Sequence, residues 1–470
     1  MLFSEIPFFV FFLTYLTLHL LLPARWRLYL VIGGSTVFYA WWRVEDVWLP
    51  YLLTLIGWAG AIWIDLAADA RARKRRLVIA VFALFTPLLV VKYAFFLLTN
   101  IVAILPGGFV TPDEMTSFRF ALPLGISFMT FTITAYVVDT YRSQYPVEKK
   151  LQKLLAYVLF FPHLIAGPIL RPNELLPQFS HWTRAIDARF TLGVCLFAIG
   201  LTKKLVFADI IAGVVDHVYA STAQQLSAWE YLLAIHGFSV QIYCDFSGYT
   251  DMAIGTACIL GIRLPINFRR PYAAHSIVDF WRRWHITLSS WLRDYLYIPL
   301  GGNRNGEGRR LLNLMTTMVL GGLWHGAAWT FVIWGALHGT ALVGVHLLRA
   351  RLARWNIVVP AWLGILGTFY FVTFAWVYFR APDIGTAHRV LQGPFTASWD
   401  GFRTFAATYA FELILVFIFL VTHRYDAHSR VRMAVRTWNK GILWPVVVAM
   451  FALAITVSQG SSAKFIYFEF

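Results

Sequence analysis

Long apolar stretches recur along the chain and carry few charged residues. The clearest cover residues 1–22, 47–66, 77–105, 119–138, 311–347, 361–379 and 444–457. Most are close to the roughly 17 to 25 residues that an α-helix needs to cross a bilayer. Lipid offers no hydrogen bonds to the backbone, and these runs lack the alternation of barrel strands. The pattern therefore predicts an all-α polytopic integral membrane protein.

The composition agrees with a membrane protein. Hydrophobic residues make up 59% of the chain and charged residues only 14%, whereas a soluble domain carries about a quarter charged residues. The first apolar run has no basic N-terminal region and no small-residue cleavage site, so we expect no cleavable signal peptide. Cys195, Cys244 and Cys258 have neither disulfide nor metal-ligand spacing. We expect them to be small buried hydrophobes and expect no metal site.

The net charge of +16 is concentrated in alternate connections between the apolar runs. The basic connections lie near residues 25–27, 71–76, 149–153, 304–310, 349–354 and 424–440. The connections that are poor in Lys and Arg lie near residues 43–46, 106–117 and 382–400. Because basic loops stay on the cytoplasmic side, this alternation predicts that both termini are extracytoplasmic. The charge indicates topology and not a nucleic-acid partner.

The middle of the chain, from residue 156 to 299, is less regular. Pro, Gly and polar residues interrupt its apolar runs. Irregular backbone is tolerated at membrane depth only where protein covers it or where it lines a cavity. We therefore expect re-entrant or broken helices around a central cavity, with about ten to twelve membrane passages in total. No soluble segment or repeat stands out, so residues 1–470 are predicted to form one domain with a catalytic core at about 120–345.

Two aspartates, Asp245 and Asp251, lie in apolar surroundings within residues 241–255. A buried carboxylate needs a cation or several hydrogen-bond donors. Asp245 either orients a histidine or binds substrate, or it is an internal partner for an arginine or a tryptophan N–H. The internal structural role is the favoured interpretation.

Residues 279–291 have the pattern of a short amphipathic helix at the membrane interface. Spacings of i, i+4 and i+7 place three apolar residues on one face: Trp284, Leu288 and Trp291. Asp279 and Arg283 form an i, i+4 pair, and His285 lies over Ser289. His285 either lines an active site or makes a structural hydrogen bond, and the pattern favours neither.

The following loop, residues 301–310, is rich in glycine and arginine. Its backbone N–H groups and guanidinium groups could meet the phosphates of a nucleotide-like donor. It lacks the Gly-Lys-Ser/Thr ending of a phosphate-binding P-loop. An ordinary cytoplasmic turn is the favoured interpretation.

His325 is the strongest candidate for chemistry. It lies in the apolar run 320–326, with Trp324 beside it and Trp329 close by. An ionisable group at membrane depth costs several kcal/mol unless it lines a cavity or finds partners, and imidazole is well suited to take a proton from a hydroxyl near neutral pH. His338 follows thirteen residues later, about 220° around a straight helix. We therefore expect it to support the site from behind.

Several motifs together resemble the membrane-bound O-acyltransferases, in particular the bacterial branch of the inner-membrane alginate O-acetylation subunit. They occupy residues 122–128, 136–141, 161–169, 245–249, 280–304, 324–326, 376–381 and 465–470. The resemblance covers nearly the whole chain. Proteins that serve peptidoglycan and cellulose O-acetylation belong to the same branch, and the teichoic-acid D-alanyl transferase is a more distant relative. The implied fold is a ring of tilted helices around a central tunnel.

The resemblance places the family's invariant histidine at His325 and its second polar position at His285. It implies that acetyl-CoA is the acyl donor from the cytoplasm and that no cofactor is bound. It also implies an extracytoplasmic glycan as the final acceptor and a separate periplasmic protein that receives the acyl group or completes its transfer. Five further residues are predicted to line the cavity: Asp245, Ser289, Asp294, Trp324 and His338.

Three other functions remain open at this stage. The acyl group could be D-alanyl instead of acetyl. A transporter of an acyl or glycan precursor would use the histidines to relay protons, and it would yield flux without a covalent product. A scaffold that only anchors a periplasmic transferase would not need His325. The sequence does not identify the glycan.

Overall fold

The protein is described by a computed structural model. It describes residues 1–104, 120–180, 182, 188–221, 226–458 and 465–466. The connection 106–117 that is predicted to be extracytoplasmic lies outside the described residues, as do the last four residues, 467–470. The described residues are helical and contain no strand. The predicted all-α class is therefore confirmed.

The chain divides into two compact units, residues Met1–Phe190 with Thr256–Pro265, and residues Thr191–Gly255 with Ile266–Phe470. The helices of the first unit are α1 (Ile6–Leu21), α2 (Ala24–Ala40), α3 (Trp48–Asp65), α4 (Ala70–Leu88), α5 (Ala94–Ile104), α6 (Ile126–Tyr141), α7 (Leu151–Leu159), α8 (Phe161–Leu164) and α9 (Pro172–Ser180). An aromatic cluster joins several of them, since Phe161 packs on Phe38 of α2 with ring centroids 5.4 Å apart.

The second unit holds most of α10 and of α12, the whole of α11, and every helix after α12. These are α10 (Ala188–Thr202), α11 (Asp209–Ala220), α12 (Ala228–Ile259), α13 (Ile277–Trp281), α14 (Ile286–Leu292), α15 (Gly306–His325), α16 (Trp329–Arg354), α17 (Ala361–Arg380), α18 (Ile384–Thr396), α19 (Phe402–Thr408), α20 (Ala410–Thr422), α21 (His428–Thr437) and α22 (Lys440–Ser458). Among the described residues, three π-helical segments continue other helices: Leu89–Tyr93, Lys203–Ala208 and Arg293–Tyr297.

Five helices in the described part of the chain are long and apolar enough to cross a membrane. They are Val44–Asp65, Ala70–Ile104, Trp329–Leu348, Ala361–Arg380 and Lys440–Ser458. A sixth candidate is the pair Phe402–Thr408 and Ala410–Tyr425, which bends by 77° at a short break. The protein is thus a multi-pass membrane protein, whereas the larger number of ten to twelve passages, the ring and the central tunnel stay predictions.

Residues 156–299, which were expected to form re-entrant or broken helices, do so only in part. Short helices and π-helical segments do occur there, but α12 runs unbroken for 32 residues. Gly248 does not interrupt it. A Cβ atom at Gly248 would lie 2.7 Å from the main-chain oxygen of Gly200, so this glycine allows α10 and α12 to pack backbone to backbone.

The apolar run 311–347 is not one helix. It forms α15 and α16, which are separated by Gly326, Ala327 and Ala328. The two helices pack closely, because a Cβ atom at Gly335 would lie 2.5 Å from the main-chain oxygen of Met318. The straight helix that was assumed between His325 and His338 is therefore wrong, and the turn between the two helices decides where both side chains lie.

Candidate functional site

His325 is the last residue of α15 and is buried, with 4% of its surface exposed. The chain leaves the helix at Gly326 in an extended conformation, with φ −158° and ψ 148°. A Cβ atom at Gly326 would collide with the ring of Phe331. The position after the histidine must therefore be glycine for the turn to close against α16.

Aromatic rings surround the imidazole of His325. Its ring centroid lies 4.9 Å from that of Trp324, 5.2 Å from Trp334 and 5.1 Å from Phe379. Trp334 belongs to α16 and Phe379 to α17, so three consecutive helices build this environment. Such an enclosure limits the access of water to the histidine.

His285 is completely buried and lies at a sharp break in the chain. Its φ of 40° and ψ of 55° are in the left-handed region, directly before α14. A non-glycine residue there costs of order 1–3 kcal/mol, and such strain tends to occur at functional sites. The continuous helix predicted over residues 279–291 is therefore wrong, because the backbone reverses its twist at His285 and separates α13 from α14.

Asn267 fixes the orientation and the tautomer of His285. The Nδ1 atom of His285 lies 3.2 Å from Oδ1 of Asn267, and the main-chain N–H of Thr287 donates to the same oxygen at 3.1 Å. Since a main-chain N–H can only donate, this atom is the carbonyl oxygen of the amide and His285 must donate from Nδ1. In the neutral imidazole, Nε2 then carries the lone pair that can accept a proton.

The two histidines belong to one aromatic cluster. The ring of Trp324 lies 6.2 Å from the ring of His285 and 4.9 Å from that of His325. On the opposite side, Phe246 meets His285 edge to face at 4.7 Å. The structure therefore brings together the three residues His285, Trp324 and His325 that the sequence singled out. It adds Asn267 and Phe379, which the sequence analysis missed.

His338 lies behind Trp334. The ring centroids of His338 and Trp334 are 4.7 Å apart, and Trp281 meets His338 at 5.1 Å. His338 is fully buried, and neither of its ring nitrogens has a hydrogen-bond partner among the described residues. Trp334 contacts both His325 and His338, so His338 lies where a residue that supports the site from behind would lie. The supporting role of His338 stays a prediction.

Asp245 has a different set of neighbours from those expected. Its Oδ1 lies 2.8 Å from Nζ of Lys204, and its Oδ2 accepts a hydrogen bond from the main-chain N–H of Ile466 at 2.8 Å. Phe465, next to Ile466, stacks on Tyr249 at 4.7 Å. Within the described contacts, Asp245 joins α12 to residues near the C-terminus and is not seen to hold a histidine.

A second buried ion pair lies beside the first. Nζ of Lys203 is 2.8 Å from Asp251 and 2.7 Å from Asp426. Asp251 also meets His428 at 2.6 Å, and Asp426 accepts from the hydroxyl of Tyr243 at 2.6 Å. Neither lysine was among the predicted site residues, although two adjacent lysines at the end of an apolar run were a usable signal.

Ser289 and Asp294 are engaged in local interactions. The Ser289 hydroxyl donates to the main-chain oxygen of Trp284 at 3.2 Å. The carboxylate of Asp294 accepts hydrogen bonds from Nε and Nη2 of Arg293, at 2.6 and 3.0 Å. The main-chain N–H of Ser289 also donates to the main-chain oxygen of His285 at 2.9 Å. The predicted roles of Ser289 and Asp294 in lining the cavity stay predictions.

The predicted pair of Asp279 and Arg283 is present at 2.9 Å. Partial burial alone would raise the pKa of Asp279, but the hydrogen bond and charge of Arg283, assisted by His275, outweigh it. The pKa of Asp279 therefore lies below its usual value. Among the described residues, no group of three His, Cys, Asp or Glu side chains could hold a metal ion.

The sequence matches the profile of the membrane-bound O-acyltransferase family over residues 35–381. This stretch is more than half of the chain and contains both His285 and His325. The chain belongs to the membrane-bound O-acyltransferase family. The aromatic cluster around the two histidines thus lies inside the region that matches the family. This membrane-bound O-acyltransferase is an enzyme that transfers acyl groups to hydroxyl oxygens.

Relatives agree with this assignment. This acyltransferase is 42% identical over 399 residues to a probable alginate O-acetylase AlgI of Azotobacter vinelandii, covering 84% of this chain and 77% of that protein. It is 39% identical over 398 residues to a peptidoglycan O-acetyltransferase of Helicobacter pylori, covering 78% and 73%. It is also 29% identical over 296 residues to a teichoic acid D-alanyltransferase of Bacillus subtilis, covering 59% and 72%.

Proposed function

We propose that this membrane-bound O-acyltransferase moves an acetyl group from acetyl-CoA on the cytoplasmic side to a hydroxyl on the other side of the membrane, for O-acetylation of an extracytoplasmic polysaccharide such as alginate. The observation that carries the proposal is the buried cluster in which Trp324 contacts both His285 and His325. The named activities of the relatives support the acyl group and the acceptor class.

The chemistry requires one proton acceptor and a dry site. The acceptor oxygen attacks the carbonyl carbon of the thioester, a new C–O bond forms, and the C–S bond breaks. A histidine takes the hydroxyl proton and returns it to the leaving thiolate, so that the products are an ester and a thiol. We assign His325 as this base. His285, with its Nε2 lone pair set by Asn267, orients the hydroxyl or shares its proton.

The proposed topology follows the distribution of basic residues. The basic connections would lie in the cytoplasm, and both termini would lie outside, in a bacterial inner membrane. A soluble donor would then reach the cluster from the cytoplasm. A separate periplasmic protein would receive the acetyl group or complete its transfer to the glycan.

An alternative acyl group has specific support, because one relative is a teichoic acid D-alanyltransferase. The test is direct. Proteoliposomes that contain the purified protein should be incubated with acetyl-CoA labelled in the acetyl group or, in a parallel reaction, with a labelled D-alanyl donor. Both reactions include periplasmic extract and a polysaccharide from the producing cell.

We expect label to enter the polysaccharide as an ester that mild base releases, and to do so only with the protein present. The control is the His236→Ala variant, since His236 packs on Tyr370 of α17 and not on the histidine cluster. Transfer of D-alanine but not of acetate would replace the acetyl assignment. Uptake of the intact labelled donor into the proteoliposomes, without formation of any ester, would instead favour a transporter.

A second prediction concerns Asn267. Asn267→Ala removes the oxygen that holds His285 through Nδ1, so the imidazole can rotate or adopt the other tautomer. We expect about a tenfold loss of kcat, less than the roughly 10²- to 10⁴-fold that the general base itself contributes. The measurement is the rate of labelled acetyl transfer at saturating donor.

Two variants control this experiment. Asn267→Asp retains an oxygen that can accept from Nδ1 and should keep more activity than Asn267→Ala. Asn313→Ala removes another buried asparagine, whose side chain donates to the main-chain oxygen of Gly302, and should change kcat little. Equal losses in the Asn267→Ala and Asn313→Ala variants would mean that Asn267 has only a structural role.

A further inference from the structure

Helix α21, His428–Thr437, connects two candidate membrane segments. The bent pair that ends at Tyr425 precedes it, and the candidate span Lys440–Ser458 follows it. With ten residues, α21 is about 15 Å long, half the thickness of the hydrocarbon core of about 30 Å. It cannot cross the bilayer and must lie at one membrane surface.

The two faces of α21 differ in chemistry. Val431 and Val435 pack against a buried cluster that includes Cys195 and Leu443. The remaining surface exposes Arg430, Arg432 and Arg436 together with Met433. The helix is thus anchored by its apolar side and presents arginines on a fixed frame, with an apolar side chain among them, as helices that lie in a membrane interface do.

Two of the neighbouring arginines are held in a defined arrangement. The guanidinium carbons of Arg424 and Arg430 each lie 4.6 Å from the centroid of the Tyr425 ring. Tyr425 as a whole is 43% exposed. A guanidinium of Arg270 also donates to the main-chain oxygen of Arg424 at 3.2 Å. Cation–π contacts reduce the conformational freedom of both arginine side chains. The two positive charges are therefore preorganised to bind one anionic partner.

No carboxylate of the described residues forms a salt bridge with Arg424, Arg430, Arg432 or Arg436. The nearest acidic residue along the chain is Asp426, which already binds Lys203 and the hydroxyl of Tyr243. Within the described residues, these arginines are therefore open to an anion from outside the chain.

We propose that the Arg424–Tyr425–Arg430 arrangement and the arginine face of α21 form a binding site for the phosphate headgroup of an anionic phospholipid. The surface is basic, so it faces the cytoplasm by the charge rule, where anionic lipids give the leaflet its negative potential. Guanidinium groups match phosphate geometry through paired hydrogen bonds. The exposed Met433 and Trp438 lie where acyl chains meet headgroups. This inference does not depend on the acyl group or acceptor proposed above.

The test uses the purified full-length protein in neutral mixed micelles, titrated with phosphatidylglycerol or phosphatidylcholine. Lipid binding is measured by native mass spectrometry and by the rise in unfolding temperature. We expect phosphatidylglycerol to bind and to stabilise, with phosphatidylcholine having little effect. The variant R424Q/R430Q should weaken the apparent affinity for phosphatidylglycerol about tenfold. The matched control R351Q/R354Q removes two exposed arginines at the end of α16 and should weaken it less than about twofold.

A second variant keeps the test decisive if R424Q/R430Q fails to fold. Tyr425→Leu retains both charges but removes the ring that holds them, and it should also lower the affinity. Equal loss in R424Q/R430Q and R351Q/R354Q would mean diffuse attraction and would overturn the site. Equal binding of phosphatidylcholine would overturn it too. Displacement of the lipid by millimolar inorganic phosphate would assign the site to a soluble phosphate and not to a lipid.

Discussion

Replacing His325 with alanine should abolish acyl transfer while the protein still accumulates in the membrane. The imidazole at the end of α15 is surrounded by the rings of Trp324, Trp334 and Phe379, and we assign it as the base that takes the hydroxyl proton. We expect the rate of labelled acetyl transfer to fall by about 10²- to 10⁴-fold, the range that a positioned general base contributes.

The His325 experiment needs controls for structural damage. His236→Ala removes a histidine outside the cluster and should retain activity. His338→Ala removes a ring that packs on Trp334, which in turn contacts His325, so the loss of activity should be smaller than in His325→Ala. Protein amount and unfolding temperature should be measured for all three variants. Near-normal transfer by a folded His325→Ala protein would remove this residue from the mechanism and support a scaffold role.

Replacing Lys204 with methionine should cause the largest loss of stability among single substitutions of charged residues in the second unit. Nζ of Lys204 lies 2.8 Å from both Asp245 and Asp209, and Lys204 and Asp245 are almost fully buried. Removing the cation leaves buried carboxylates without their counter-charge. This typically costs about 3 to 5 kcal/mol. The measurement is the unfolding temperature of the purified protein in detergent.

A double variant distinguishes charge from packing as the cause. Lys204→Met combined with Asp245→Asn removes one stranded carboxylate and should recover part of the lost stability. Lys149→Met replaces an exposed lysine and should change the unfolding temperature little. A single Lys204→Met variant as stable as the parent would contradict the view that these ion pairs hold the second unit together.

The class of the fold can be predicted from the sequence, but its local breaks cannot. Hydrophobic runs decide that the chain is helical and lies in a membrane, because backbone groups in lipid must bond internally. Hydropathy does not record where a helix stops. The turn at Gly326 and the left-handed backbone at His285 arise from packing against Phe331 and from the hydrogen bonds of Asn267. Both depend on residues that are distant in the sequence or indistinguishable there from ordinary apolar runs.

The candidate site shows the same division. His325, His285 and Trp324 stood out because polar and aromatic residues are expensive or unusual in such runs. Asn267 and Phe379 did not stand out. A lone asparagine and one of many phenylalanines gain meaning only from what they touch. For Asp245 the sequence favoured a structural ion partner, and the structure supplies Lys204, where an arginine or a tryptophan N–H had been expected.

By itself, the sequence determined that this protein is an all-α membrane protein, that its basic connections alternate along the chain, and that two histidines in apolar surroundings are its best candidates for chemistry. These are local properties of composition and spacing. Only the tertiary structure decided that Trp324 joins the two histidines, that Asn267 sets the tautomer of His285 and that Lys203 and Lys204 each bridge two carboxylates. The physical reason is that hydrogen bonds and ring contacts act over a few ångströms in space, whatever the distance along the chain.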